Sequence, residues 1–163
     1  MSTELSADER RRKRRLTVAV RDNMRELGIQ LALLNHQVGQ RLEMRDVDLD
    51  CLDIISRNGP LGASALARSA GLHPATMTGI LDRLQRGGWA VRQRDPDAVD
   101  RRAVTVYPLR DRNPELYDLY SGMSTSMDGI CADFSDGELQ TLADFLRRTI
   151  DAGQHATEQL AND

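Results

Sequence analysis

Aromatic side chains are scarce in this chain, at 4% of 163 residues: one Trp, three Tyr and two Phe. A core must therefore come mainly from Leu, Ile, Val, Ala and Met, a palette that favours helices. Cysteine is equally sparse. Cys51 and Cys131 stand far apart, without the close spacing of a metal knuckle or redox pair, so a reducing, cytoplasmic setting is expected. No apolar run approaches the roughly 20 residues needed to span a bilayer. The basic cluster Arg10, Arg11, Arg12, Lys13, Arg14, Arg15 is followed only by Leu16 to Val20, too short for the apolar part of a secretory leader. Phosphate loops, zinc-protease helices and nucleophile elbows are missing too, and no acidic pair singles itself out. The expectation is a non-enzyme without metal or cofactor.

What is present is an uneven charge distribution. The formal net charge is −3. Residues 60–112 nevertheless carry nine Arg against five Asp, a net of +4, whereas residues 113–163 carry a net of −8. A basic middle and an acidic tail suit different partners.

The apolar spacing predicts helices. Leu16, Val20, Met24, Leu27, Leu31, Leu34, Val38 and Leu42 recur every three or four residues, a stripe from about Arg10 to Leu42 that Gly28 could interrupt. A second helix is expected from Asp46 to Arg57, stopped by Asn58-Gly59. A short third helix, Ala63 to Ala70, closes on Gly71, a residue suited to the left-handed turn after a helix. Pro74 then opens a fourth helix running to about Arg86. In it Met77, Ile80, Leu81 and Leu84 form a buried stripe. After Gly87-Gly88, alternation over Trp89–Arg94 and again from Arg102, with Val104 and Val106 on one face, predicts a β-hairpin. Two more helices follow, Asn113 to about Asp133 and Asp136 to about Gln159. The last is introduced by the capping box Ser135 and Glu138 and striped with Leu139, Leu142, Phe145, Leu146 and Ile150.

Short helix, glycine turn, second helix and basic hairpin together make the winged helix-turn-helix pattern. With the stripe at 77, 80, 81 and 84 facing inward, Ala75, Gly79, Asp82 and Arg86 must face outward, flanked by Thr76, Thr78 and Arg83. Small residues at 75, 76, 78 and 79 let the helix N-terminus, rich in unpaired N–H groups, approach base edges or phosphate closely. Thr methyls match thymine methyls, and Arg83 is a candidate donor to guanine or phosphate. Arg86 and Arg94 complete the basic face, and His73 occupies the N-cap position beside it. Asp82 and Asp100 repel phosphate, so each is expected to orient a neighbouring Arg. For the 10–15 cluster a solvated helix start is favoured over phosphate contact.

Residues 44–109 resemble the MarR family of bacterial transcription regulators. The stretches that carry the resemblance are Gly71-Leu72-His73-Pro74-Ala75-Thr76-Met77-Thr78, Leu81-Asp82-Arg83-Leu84, Gly87-Gly88-Trp89, and Arg94-Asp95-Pro96 followed by Asp100-Arg101-Arg102. The sequence departs from the family at Gly79, where Arg or another polar residue is frequent, and at Leu109-Arg110, where Leu-Thr is usual. The resemblance implies a mainly α fold with a small β-hairpin, a winged helix-turn-helix flanked by N- and C-terminal dimerisation helices. It also implies that Arg102, with Arg101 beside it, enters a minor groove with Asp100 in support. The implied division is a disordered tail at 1–9, a dimerisation helix region at 10–43, the DNA-binding domain at 44–109 and C-terminal dimerisation helices at 110–163. Partners implied are double-stranded DNA at a pseudo-palindromic site, a second copy of the chain, and a small, often aromatic, effector acting on a repressor. His36, Cys51, Tyr117 and Tyr120 are the candidate effector contacts. Two of them have a plainer reading: His36 as a helix-surface or packing residue, Cys51 as a small core residue. An alternative function is a winged-helix protein-interaction module that binds no specific DNA.

Overall fold

A computed structural model describes residues 6–94 and 104–162 and divides the chain into two compact units, Met1–Glu43 and Met44–Asp163. The first unit is one helix, α1 (Ala7–Arg41). It starts three residues earlier than the apolar stripe predicts. The reason is a capping box that the stripe does not contain: the Ser6 hydroxyl accepts from the Glu9 amide, and the Glu9 carboxylate accepts from the Ser6 amide at 2.7 Å. The helix passes Gly28 without a break. Leu16, Val20, Leu27 and Leu31 of its apolar stripe are exposed.

The second unit begins with α2 (Asp46–Asn58), a two-residue strand β1 (Leu61–Gly62), α3 (Ala63–Ser69) and α4 (Pro74–Arg86). Strands β2 (Ala90–Arg94) and β3 (Val104–Pro108) follow, and then α5 (Asn113–Cys131) and α6 (Asp136–Asn162). The expected hairpin is present, but the sheet has three strands in the order β1-β3-β2, all antiparallel. Leu61 pairs with Val106 and Gly62 with Thr105. A strand of two residues leaves no alternation to detect, which is why the sequence pattern gave no sign of β1.

The core of this unit joins α2, α3, α4 and the sheet. Leu49, Leu52, Ile55, Leu66, Met77, Ile80, Leu81, Leu84, Trp89 and Val106 are all buried. All four residues of the expected α4 stripe are among them. Both turns around α4 obey backbone logic. Gly71 (φ +63) and Gly88 (φ +73) take left-handed conformations. In each case the following amide bonds back into the helix, Leu72 to the Ala67 carbonyl and Trp89 to the Leu84 carbonyl, both at 2.9 Å. This is the Schellman closure that glycine allows without a Cβ penalty. By contrast α5 has no buried residue, and Leu142, Phe145, Leu146 and Ile150 of α6 are exposed. Among the described residues, no helix is long and apolar enough to cross a membrane.

Candidate nucleic-acid interface

Helix α4 presents its non-core face to solvent. His73, Ala75, Thr76, Thr78, Gly79 and Arg86 are all exposed. The N-terminus is built for this display. His73 Nδ1 accepts from the Ala75 amide at 3.2 Å, so the ring caps the helix and leaves Nε2 as its outward donor. Pro74 fills the first helical position, where no amide hydrogen is needed. Arg94, at the end of β2, is exposed as well. Arg101, Arg102 and Asp100 lie outside the described residues.

Two half-buried arginines are held by carboxylates instead of standing free. Arg83 Nε and Nη2 donate to the two carboxylate oxygens of Asp48 on α2, both at 2.7 Å. Asp48 is 2% exposed, the one buried charged side chain among the described residues. Hydrogen bonding to Asp48 holds the Arg83 guanidinium above its ordinary pKa, against a smaller opposing effect of burial. Arg92, on β2, pairs with Asp82 of α4 at 2.6 Å and donates from Nε to the Gln85 amide oxygen at 3.1 Å. Asp82 therefore orients an arginine, as its charge suggested, and that arginine comes from the wing strand. Arg86 Nε is 3.2 Å from the Asp82 carbonyl, a bond along its own helix.

A third arginine ties the C-terminus of α4 to α5. The Arg112 guanidinium lies over the Trp89 ring at 4.1 Å from its centroid, donates to the Gly87 carbonyl at 2.8 Å, and forks onto Glu115 at 3.0 and 2.6 Å. The same Glu115 contact raises the Arg112 pKa and lowers that of Glu115.

Sequence reasoning missed Asp48, Arg92, Gln85 and Arg112. Asp48 carried a usable signal. It sits at i, i+4 and i+7 with Leu52 and Ile55, so a carboxylate on that core stripe demanded a cation. Arg112 offered none, because its partner Trp89 lies on the far side of the hairpin in sequence.

The four candidate effector contacts belong to three helices, His36 to α1, Cys51 to α2, and Tyr117 and Tyr120 to α5. His36 belongs to the N-terminal unit, where its Nε2 meets the Gln40 amide at 2.9 Å. Cys51 is fully buried, and its thiol is pushed up to about 11, first by burial and then by Asp48 and Asp50. Tyr117 is 66% exposed. Tyr120 is half-buried, with its hydroxyl pKa raised by burial and by Asp53 and Asp50.

Comparison with known proteins gives the family of the chain. Residues 46–104 match the MarR family profile. A curated relative, the uncharacterized HTH-type transcriptional regulator YcgE of Bacillus subtilis (strain 168), is 30% identical over 136 residues, 83% of this chain and 87% of its own. The chain belongs to the MarR family. It is thus a DNA-binding transcription regulator of the helix-turn-helix type, in a family and fold of regulators and not of enzymes. MarR-family structures share its fold. One from Bacillus stearothermophilus superposes with a TM-score of 0.64 at 18% identity, covering 85% of this chain and 96% of that one. RV1404 from Mycobacterium tuberculosis gives 0.62 at 22%, covering 94% and 98%. Apo MarR from E. coli gives 0.56 at 17%, covering 78% and 93%. In winged-helix terms α3 and α4 are the helix-turn-helix, and β2 and β3 the wing.

Proposed function

We propose that this MarR-family chain binds a pseudo-palindromic duplex as a homodimer and acts as a repressor whose hold on DNA a small, possibly aromatic, effector modulates in the cytoplasm. The observation that carries the reading is the outer face of α4: small side chains at 75, 76, 78 and 79 exposed at a helix N-terminus capped by His73. Such an end approaches base edges without steric cost and offers amide hydrogens to phosphate. Arg86 and Arg94 add positive charge on the same lobe, and the sequence supplies two further cations, Arg101 and Arg102, between β2 and β3.

Dimerisation is supported by the apolar side chains left exposed on α1, α5 and α6. An isolated chain would expose them to water at a cost of about 25 cal/mol per Å². A two-fold pair would set two recognition helices into successive major grooves about 10 bp apart. The effector would act by favouring a dimer with the wrong helix spacing, within the limit of its differential affinity for the two forms.

The test is a fluorescence-anisotropy titration of a duplex enriched from random-sequence DNA by the purified protein. Arg102→Ala is expected to weaken binding by about 1–3 kcal/mol and leave the dimer intact. Affinity is also expected to fall steeply between about 50 and 200 mM salt. An unchanged affinity in the variant would refute the wing assignment. Enrichment of no duplex at all would favour a protein-interaction module.

A further inference from the structure

We propose that Arg83 serves DNA recognition as a positioning residue, pinned by Asp48 of α2 so that it fixes the roll of α4 about its own axis. The proposal rests on the DNA-binding reading of α4 and names how that face is aimed.

The apolar stripe of α4 cannot do this alone. Hydrophobic burial is non-directional, and helix packing by ridges and grooves tolerates scatter of about 15–20°. A helix that reads base edges needs tighter alignment. The Asp48–Arg83 fork is directional, with two N–H···O bonds of 2.7 Å from one guanidinium to the two oxygens of one carboxylate. Its carboxylate is 2% exposed, so rotation of α4 that opened the fork would strand a buried charge, a strongly unfavourable state. The pair therefore acts as a stop on both sides of one angle.

The third guanidinium nitrogen supports the assignment. Nη1 lies 3.4 Å from where a Cβ at Gly79 would stand. The Arg83 side chain thus runs back along α4 beside Gly79, and the missing side chain there leaves it room. Gly79 and Arg83 belong to one arrangement: a bulky residue at 79 would compete for the space the guanidinium fills.

Charge gives a test of opposite sign. If only electrostatics mattered, Asp48→Asn would remove a negative charge near DNA and tighten binding. Positioning requires it to weaken binding. The full chain would be titrated with the duplex selected by the wild type and with a scrambled duplex, across about 50–200 mM salt. Asp48→Asn and Arg83→Lys are each expected to weaken the selected duplex about tenfold, with the double variant no worse than the poorer single. The salt slope and the scrambled duplex should be unaffected. Amide exchange of α4 in the free protein should rise in both variants.

Should Asp48→Asn unfold, the apolar pair Asp48→Leu with Arg83→Met is the second variant, since well-packed replacements of buried ion pairs are tolerated. It should fold and lose discrimination between the two duplexes. Tighter or equal binding by Asp48→Asn, or full discrimination by the apolar pair, would overturn the proposal. So would a salt slope reduced by about one in Arg83→Gln, the signature of a phosphate contact. If the wild type enriches no duplex, the DNA reading fails on its own. The exchange measurement then still decides the pin, and unchanged α4 exchange in Arg83→Lys would reject it.

Discussion

Cys51 sits with no exposed surface beside a buried carboxylate, and its thiol titrates near 11 instead of 9.0. The folded chain therefore keeps a proton that the unfolded chain releases from about pH 9, so stability falls as pH rises from 9.0 to about 11. Cys51→Ala should remove that part of the decline, read by urea denaturation at pH 8, 9.5 and 11; an identical pH profile would refute it. The native thiol should also resist alkylation at neutral pH until the protein unfolds. Gly71 makes a different demand. Its φ of +63° disfavours any L side chain, and a Cβ there would stand 3.0 Å from Thr157 Cγ2, so that the threonine would have to give by a few tenths of an ångström. Gly71→Ala should cost roughly 1–2 kcal/mol for the left-handed backbone, with a lower denaturation midpoint and unchanged m-value. That glycine was readable from sequence, because a glycine directly after a helical stripe has one common use. The partners of Cys51 were not, because no pattern in a single sequence says which residues burial brings together.

Helix α4 is braced on three sides by arginines from three places: Arg83 on its own surface, Arg92 on β2 and Arg112 ahead of α5. The last is the most exposed to test. Arg112→Met keeps the aliphatic stem over Trp89 but loses the cation–π contact and the charged donor to the Gly87 carbonyl. It should destabilise the unit by about 1–2 kcal/mol, measured by thermal melting at fixed salt; an unchanged melting temperature would show the brace contributes nothing. Gly87→Ala attacks the same corner, since its Cβ would stand 2.7 Å from Trp89 Cδ1. All the elements but β1 were legible to within a few residues because each long helix carries its own period and stop signal, as Pro74 and Gly87-Gly88 do for α4. The braces were not. An arginine on a helix face reads as surface or as DNA contact with equal ease, and only the position of Asp48 on a core stripe could have separated those readings for Arg83.

At the scale of the molecule, most of the large apolar side chains left exposed among the described residues are on its three longest helices. Sedimentation equilibrium should return twice the 18.2 kDa chain mass at micromolar concentration. Lysines replacing Leu146 and Ile150 should return the single mass, with the DNA-binding lobe still folded by amide exchange. A wild-type protein that sediments as one chain would sink the dimer. The apolar stripes of α1 and α6 were visible in the sequence, whereas which surface pairs two copies leaves no trace in one chain's pattern. A different consequence follows from the two ends of α4. His73 closes one and Gly87-Gly88 the other, so the helix has a fixed length of 13 residues. One inserted residue would rotate everything beyond it by about 100°, whereas exchanging the outward residues between the two closures disturbs neither end. On the DNA-binding reading the segment is thus a replaceable cassette: lineages could acquire new target sites by swapping the side chains at 75, 76 and 78, with Gly79 kept beside Arg83 and the scaffold left as it is.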